Sequence, residues 1–151
     1  MSREQLDPRG PQFNAMLTSV VLALVLLGAP SAPAIALLAA QTVLFALGAA
    51  LGTRRTPAAW LFARFVRPRL AAPTHLEDAA PPRFAQGVGL VFAAVGLVGY
   101  LSGLTLLGAV AMGAALVAAL LNAAFGLCLG CEAYLLGKRL TTRDRPLEPA
   151  A

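Results

Sequence analysis

The chain has two cysteines, Cys128 and Cys131, both in the stretch "AAFGLCLGCEAYLLGKRL" (123–140). Thiols at this spacing can cycle between dithiol and disulfide, with the thiolate as the reactive species. They can also supply two of the roughly four N/S ligands that zinc or an iron–sulfur cluster needs. The only histidine is His75, so a metal would require a second copy or a partner, and no metal or cofactor is assigned. The bland alternative is that two small apolar residues help helices pack. Which chemistry is open depends on where the rest of the chain places the pair.

That placement follows from composition. Hydrophobic residues make up 58% of the chain and charged ones 13%, and the mean hydropathy of +0.74 is that of a membrane protein. All twelve Lys and Arg and all seven Asp and Glu fall in three segments, near 3–9, 54–83 and from Glu132 onward. The intervening runs, 10–53 and 84–131, carry no charge. Each is about twice the ~20 residues that one membrane span requires. "GAPSAP" (28–33) and "YLSGLT" (100–105) interrupt them, so the expected fold is all-α. It is a four-helix transmembrane bundle built from two tandem hairpins, with spans near 13–28, 33–52, 84–101 and 104–127. A loop (53–83) and a tail (132–151) lie on one side. "GAPSAPAIA" resembles a signal-peptide cleavage pattern. Residues 1–12 are acidic as well as basic and have a counterpart later in the chain, so the first span is expected to be retained.

With four spans the N-terminus, the long loop and the tail share one side, and every Lys and Arg lies there. The positive-inside rule makes that side the cytoplasm of a bacterial inner (plasma) membrane, both termini included. The net charge of +5 is thereby assigned to topology and the bilayer, not to nucleic acid.

The halves resemble each other. "DPRGPQF" (7–13) aligns with "DAAPPRF" (78–84), and "GTRRTPAAWLFAR" (52–64) with "GLCLGCEAYLLGK" (126–138), pairing Gly52 with Gly126 and Trp60 with Tyr134. In the first unit Thr56 reads as an N-cap with Pro57 at the first helical position. The helix that follows has Leu61, Phe62, Phe65 and Val66 on one side and Arg64 and Arg67 on the other, and Pro68 ends it. It reads as an interfacial helix with its arginines toward anionic lipid. Transferred to the second unit, Cys131 takes the place of Pro57, in the first turn of a similar helix. Cys128 then lies just before it. Backbone N–H groups and the helix dipole favour a thiolate there, Lys138 and Arg139 add a weaker positive field, and Glu132 opposes both.

Among polar residues in the spans, Gln41 and Asn122 lie in the second and fourth, while Asn14 and Gln86 open the first and third. Interhelical hydrogen bonding is their ordinary role. No ionisable group sits in mid-membrane, which weighs against an ion-coupled pump.

"DPRGPQF", "LEDAAPPRFAQGVGLVFA" and "LNAAFGLCLGCEAYLL" together resemble the bacterial, mostly actinobacterial, membrane family called domain of unknown function forty-three ninety-five, over about residues 5–140. The resemblance implies a four-helix membrane protein found beside rhodanese-like and thioredoxin-like proteins, which points to thiol or sulfur handling at Cys128 and Cys131. The architecture is also similar to DoxX-type membrane proteins at fold level. The expected function is thus thiol redox or sulfur transfer. Its cytosolic rhodanese-like or thioredoxin-like partner would dock on a basic face made by 54–69 (Arg54, Arg55, Arg64, Arg67) and 138–145 (Lys138, Arg139). A membrane anchor or subunit for such an enzyme, a small-solute transporter with Gln41 and Asn122 on its path, and a homo-oligomer are the alternatives.

Overall fold

A computed structural model of the chain describes residues 5–143. Four long helices form an all-α bundle: α1 (Arg9–Gly28), α2 (Ala32–Leu51), α4 (Ala80–Leu101) and α5 (Thr105–Phe125). Each is long and apolar enough to cross a membrane, at 20, 20, 22 and 21 residues. At 1.5 Å per residue such helices match a hydrocarbon core of ~30 Å. The chain is therefore a multi-pass membrane protein in contact with the bilayer.

Shorter elements decorate one end. A five-residue helix α3 (Pro57–Leu61) passes into a π turn (62–66) and a 3₁₀ turn (67–69). Helix α6 (Leu129–Arg143) follows the fourth span. Two short strands, β1 (Gln5–Leu6) and β2 (Glu77–Asp78), pair antiparallel, with Gln5 opposite Asp78 and Leu6 opposite Glu77.

The first and third spans begin four residues earlier than the apolar runs suggest, at Arg9 and Ala80, and so take in Arg9 and Arg83. Prolines cause this extension. Pro11, Pro81 and Pro82 fall in first turns, where a missing N–H costs nothing. Asp7 and Asp78 then accept hydrogen bonds from the N–H groups of Arg9 and Ala80, both at 3.0 Å. The tail beyond residue 143, with the far part of the basic stretch 138–145, lies outside the described residues.

Around the bundle each helix packs on two neighbours in the order α1, α2, α4, α5, so that α1 faces α4 across a diagonal. Many contacts recur between the halves. Gln12 donates to the carbonyl of Ala123 at 3.0 Å, and Arg83 donates to Ala49 and Ala50 at 2.7 and 2.8 Å. Each thereby satisfies last-turn carbonyls of a neighbouring span, which would otherwise lack partners. Phe13 stacks on Phe62 with centroids 5.8 Å apart, and Phe84 on Tyr134 at 5.7 Å. Helix α3 packs on α1, as α6 packs on α4. The aromatic equivalent of Tyr134 is thus Phe62, not Trp60, which is exposed and meets Phe65 edge-on.

The core lies toward the end that carries the two short turns. Leu22, Val25, Leu38, Phe45, Ala93, Tyr100, Ala111 and Met112 form it. There α4 and α5 approach closely through glycine: a Cβ on Gly99 would stand 2.7 Å from the backbone nitrogen of Gly108, and one on Gly96 would stand 2.6 Å from Met112 Cε. Close backbone approach of this kind replaces the hydrophobic driving force that helices lack in lipid. The opposite end, where the cysteines lie, is hollow.

Candidate functional site

Helix α5 does not run on into α6. Gly126 takes a left-handed φ of 68°, and the N–H of Leu127 reaches back to the carbonyl of Leu121 at 3.3 Å. That is a glycine-terminated Schellman-type end, satisfying carbonyls the helix would leave open. Two residues later Cys128 opens α6. Its carbonyl accepts from Glu132 N–H at 2.9 Å and its Sγ from Cys131 N–H at 3.3 Å. Cys128 is the N-cap of α6, and Cys131 stands at the third helical position rather than the first.

The equivalent residue in the first unit is Thr56, whose Oγ1 accepts from Ala59 N–H at 3.3 Å. Leu129 therefore corresponds to Pro57, and Cys131 to Ala59. The cysteines are joined as a disulfide, with Cα atoms 5.1 Å apart, within the range for such bonds. The break at Gly126 matters for this pairing, because an unbroken helix would hold the two sulfurs in poor geometry.

Two cavities meet at the pair. One, of about 320 Å³, lies under the 70s loop and is lined by Arg9, His75, Glu77, Asn122, Cys128 and Cys131 among others. The loop is held over it by the β1–β2 pairing and by Arg9, which donates to the carbonyl of Ala71 at 3.0 Å. His75 is exposed, 3.6 Å from Glu77 Oε1 and 3.2 Å from Thr74 Oγ1. The other cavity, of about 380 Å³, lies inside the bundle and shares Asn122 and Cys128 with the first. Cys131 lines only the outer one of the two.

Both cysteines are half-buried. Among the described residues, no group of three or more His, Cys, Asp or Glu side chains is arranged to hold a metal ion. A third cavity of about 330 Å³ lies beside α3, lined by Arg54, Thr56, Arg67, Asn14 and Gln86 among others.

A scan against family models matches residues 6–139, and this match decides the kinship. The chain belongs to the family described as "Domain of unknown function (DUF4395)". No curated protein and no solved structure matches it.

In this DUF4395 member the residues expected to form a site separate into groups. Cys128, Cys131 and Asn122 come together. Gln41 is buried in α2 and lines none of the three cavities described. Arg54, Arg55, Arg64 and Arg67 are exposed around α3, and Lys138 and Arg139 are exposed on α6. All six lie at the same end of the bundle. The first four are carried around α3, which packs on α1, and the last two by α6, which packs on α4. Arg64 lies over the ring of Phe65 at 5.8 Å, and Trp60 and Phe65 are exposed beside it. A basic and aromatic surface of this kind suits the membrane–water boundary.

Two features lay beyond the sequence reading: the Cys128 cap, since cysteine is not a usual capping residue, and the bundle cavity. The signal for the cavity was the run of alanines at 114, 115, 118 and 119, too small to fill the centre opposite α1.

Proposed function

We propose that this protein is a thiol–disulfide or sulfur-transfer component of a bacterial plasma membrane, working through Cys128 and Cys131. The loop 53–79 and α6 face the cytoplasm in this reading, which the placement of the described Lys and Arg residues at that end supports. The observation that carries it is the position of the pair: a disulfide at the first turn of α6, opening onto a polar cavity at the charged end.

A thiolate of a cytosolic thioredoxin-like partner attacks Cys131 Sγ, and Cys128 leaves as a thiolate that the Cys131 N–H stabilises. A second partner thiol resolves the mixed disulfide, so the partner leaves oxidised and the pair becomes a dithiol. With a rhodanese-like partner the reduced pair takes up a sulfane sulfur. A persulfide forms on one cysteine as the partner thiol is released, and attack by the other cysteine closes the disulfide and expels hydrogen sulfide. Arg54, Arg55, Arg64, Arg67, Lys138 and Arg139 offer cationic contacts to an acidic partner or to anionic lipid.

Thiol trapping in growing cells tests the reading. A pair that shifts between reduced and oxidised forms under oxidant or thiosulfate stress supports it, as does loss of stress tolerance on replacing both cysteines with serine. A pair fixed in one state, with a fully functional double mutant, would overturn it in favour of a non-enzymatic anchor.

A further inference from the structure

The cavity inside the bundle reaches the disulfide at Cys128. Its walls come from α1, α4, α5 and the start of α6, with Phe45 of α2 closing it on the remaining side. Phe92, Ala114, Leu129 and Ala133 line it and are exposed residues of α4, α5 and α6, so a gap between these helices would open it toward the bilayer. A ligand arriving through that gap comes from the bilayer. Three amides, Asn14, Gln86 and Asn122, are the polar groups nearest the charged end, with Thr18 deeper. None of the three amides makes a side-chain hydrogen bond among the described residues. No ionisable side chain other than Cys128 lines the space.

A pocket of this size and character takes a flat, uncharged, largely apolar molecule with a few hydrogen-bond acceptors. Cys128 is in its wall, and Cys131 is in the wall of the outer cavity only. Cys128 thus borders both cavities and Cys131 the outer one only, so the pair stands between the bundle cavity and the outer vestibule.

We propose that the bundle cavity binds the ring of a membrane quinone, which reoxidises the Cys128–Cys131 dithiol. The proposal rests on the thiol-exchange reading above and names the electron acceptor for it. The two thiols lose their protons and two electrons, and the S–S bond forms. The quinone gains two electrons and two protons, its carbonyls become hydroxyls, and it leaves as hydroquinone through the lateral gap. Asn122 and Gln86 donate to its carbonyl oxygens. Cys128, whose sulfur accepts from the Cys131 N–H, is the sulfur that meets the ring. Electrons thus enter at Cys131 from the cytoplasm and leave at Cys128 into the bilayer.

The full chain in lipid nanodiscs is the material for the test, with decylubiquinone as probe because its fully substituted ring resists simple thiol addition. Protein reduced by a soluble thioredoxin-class dithiol and freed of reductant is expected to reduce one decylubiquinone for each disulfide re-formed. Ala118→Leu, which fills the cavity, is expected to slow this step roughly tenfold, equivalent to about 1.4 kcal/mol. A wild-type rate in folded Ala118→Leu protein would overturn the proposal. If that variant does not fold, photo-crosslinking of wild-type protein with an azido-quinone decides. Label on 85–92 and 114–122 supports the site, and label confined to the outer faces of the spans overturns it. Failure of the soluble dithiol to reduce the disulfide would sink the thiol-exchange reading itself. Reduction without reoxidation by decylubiquinone would sink only the quinone.

Discussion

Cys128 and Thr56 make the same bond. Each caps a helix that follows a membrane span, accepting the N–H three residues on at 3.3 Å, through sulfur in one case and oxygen in the other. The first unit shows that this position needs an acceptor, not a thiol. Cys128→Ser is therefore expected to keep α6 seated while abolishing exchange chemistry. Cys128→Ala should lose the cap as well, at about 1 kcal/mol, the usual cost of removing an N-cap acceptor. Thermal unfolding of the reduced proteins in detergent, read side by side, checks the order: wild type and serine together, alanine below. Equal stability of serine and alanine variants would remove the capping role.

Gly130 sits where α6 crosses α4. A Cβ there would stand 2.7 Å from both Cα and Cβ of Ala85, too close for a backbone that cannot swing aside. Gly130→Ala should push α6 off α4, loosen the contact between Phe84 and Tyr134, and cost about 1–3 kcal/mol by overpacking. Because Gly130 lies between the cysteines, disulfide re-formation should slow in the same variant. Thermal unfolding together with thiol trapping after a pulse of oxidant measures both. Gly137, where an added Cβ meets nothing within 4 Å, serves as the control: Gly137→Ala should be neutral or slightly stabilising.

The spans were legible because lipid punishes charge, so gaps between charged segments mark the bundle almost residue by residue. Their starts were not. Arg9 and Arg83 look like loop residues, yet Arg83 lies in α4 and turns its guanidinium onto the last carbonyls of α2. The equivalence of the halves could be seen at Asp7 and Asp78 and at Gly52 and Gly126. It slipped at Trp60, because the ungapped register set by Gly52 and Gly126 paired it with Tyr134. The cap sets the true register: four positions separate Gly52 from Thr56, and two separate Gly126 from Cys128. No pattern of apolar residues reports such a shift. The cavity was hidden for a related reason, since an alanine stripe reads equally as tight packing or as empty space until the facing helix is in place.

Arg83 and Gln12 offer a graded test of helix-end capping. Arg83 makes two bonds to α2, and Gln12 in the matching place makes one to α5. Arg83→Gln should retain part of the stabilisation and Arg83→Ala none. The full loss is about 1–3 kcal/mol, for a charged donor serving two carbonyls. Arg83→Lys should fall short of wild type, because an ammonium cannot reach both oxygens with a fork. Urea or thermal midpoints in detergent give the ranking, and an alanine variant as stable as wild type would show that these carbonyls are adequately served by water.

The last prediction concerns which way the protein faces. The turns at 29–31 and 102–104 are at the end opposite α3 and α6, and they carry no charge. In a background with both native cysteines replaced by serine, Ser31→Cys and Ser102→Cys should react with a membrane-impermeant maleimide applied to whole spheroplasts. Thr74→Cys, in the loop over the Cys128 cavity, should react only after lysis. The asymmetry follows from the energetics of leaving every Lys and Arg on the untranslocated side. The reverse labelling pattern would place Cys128 and Cys131 outside the cell, where disulfides persist unaided. A cytosolic partner would then be excluded, whatever the pair's redox behaviour.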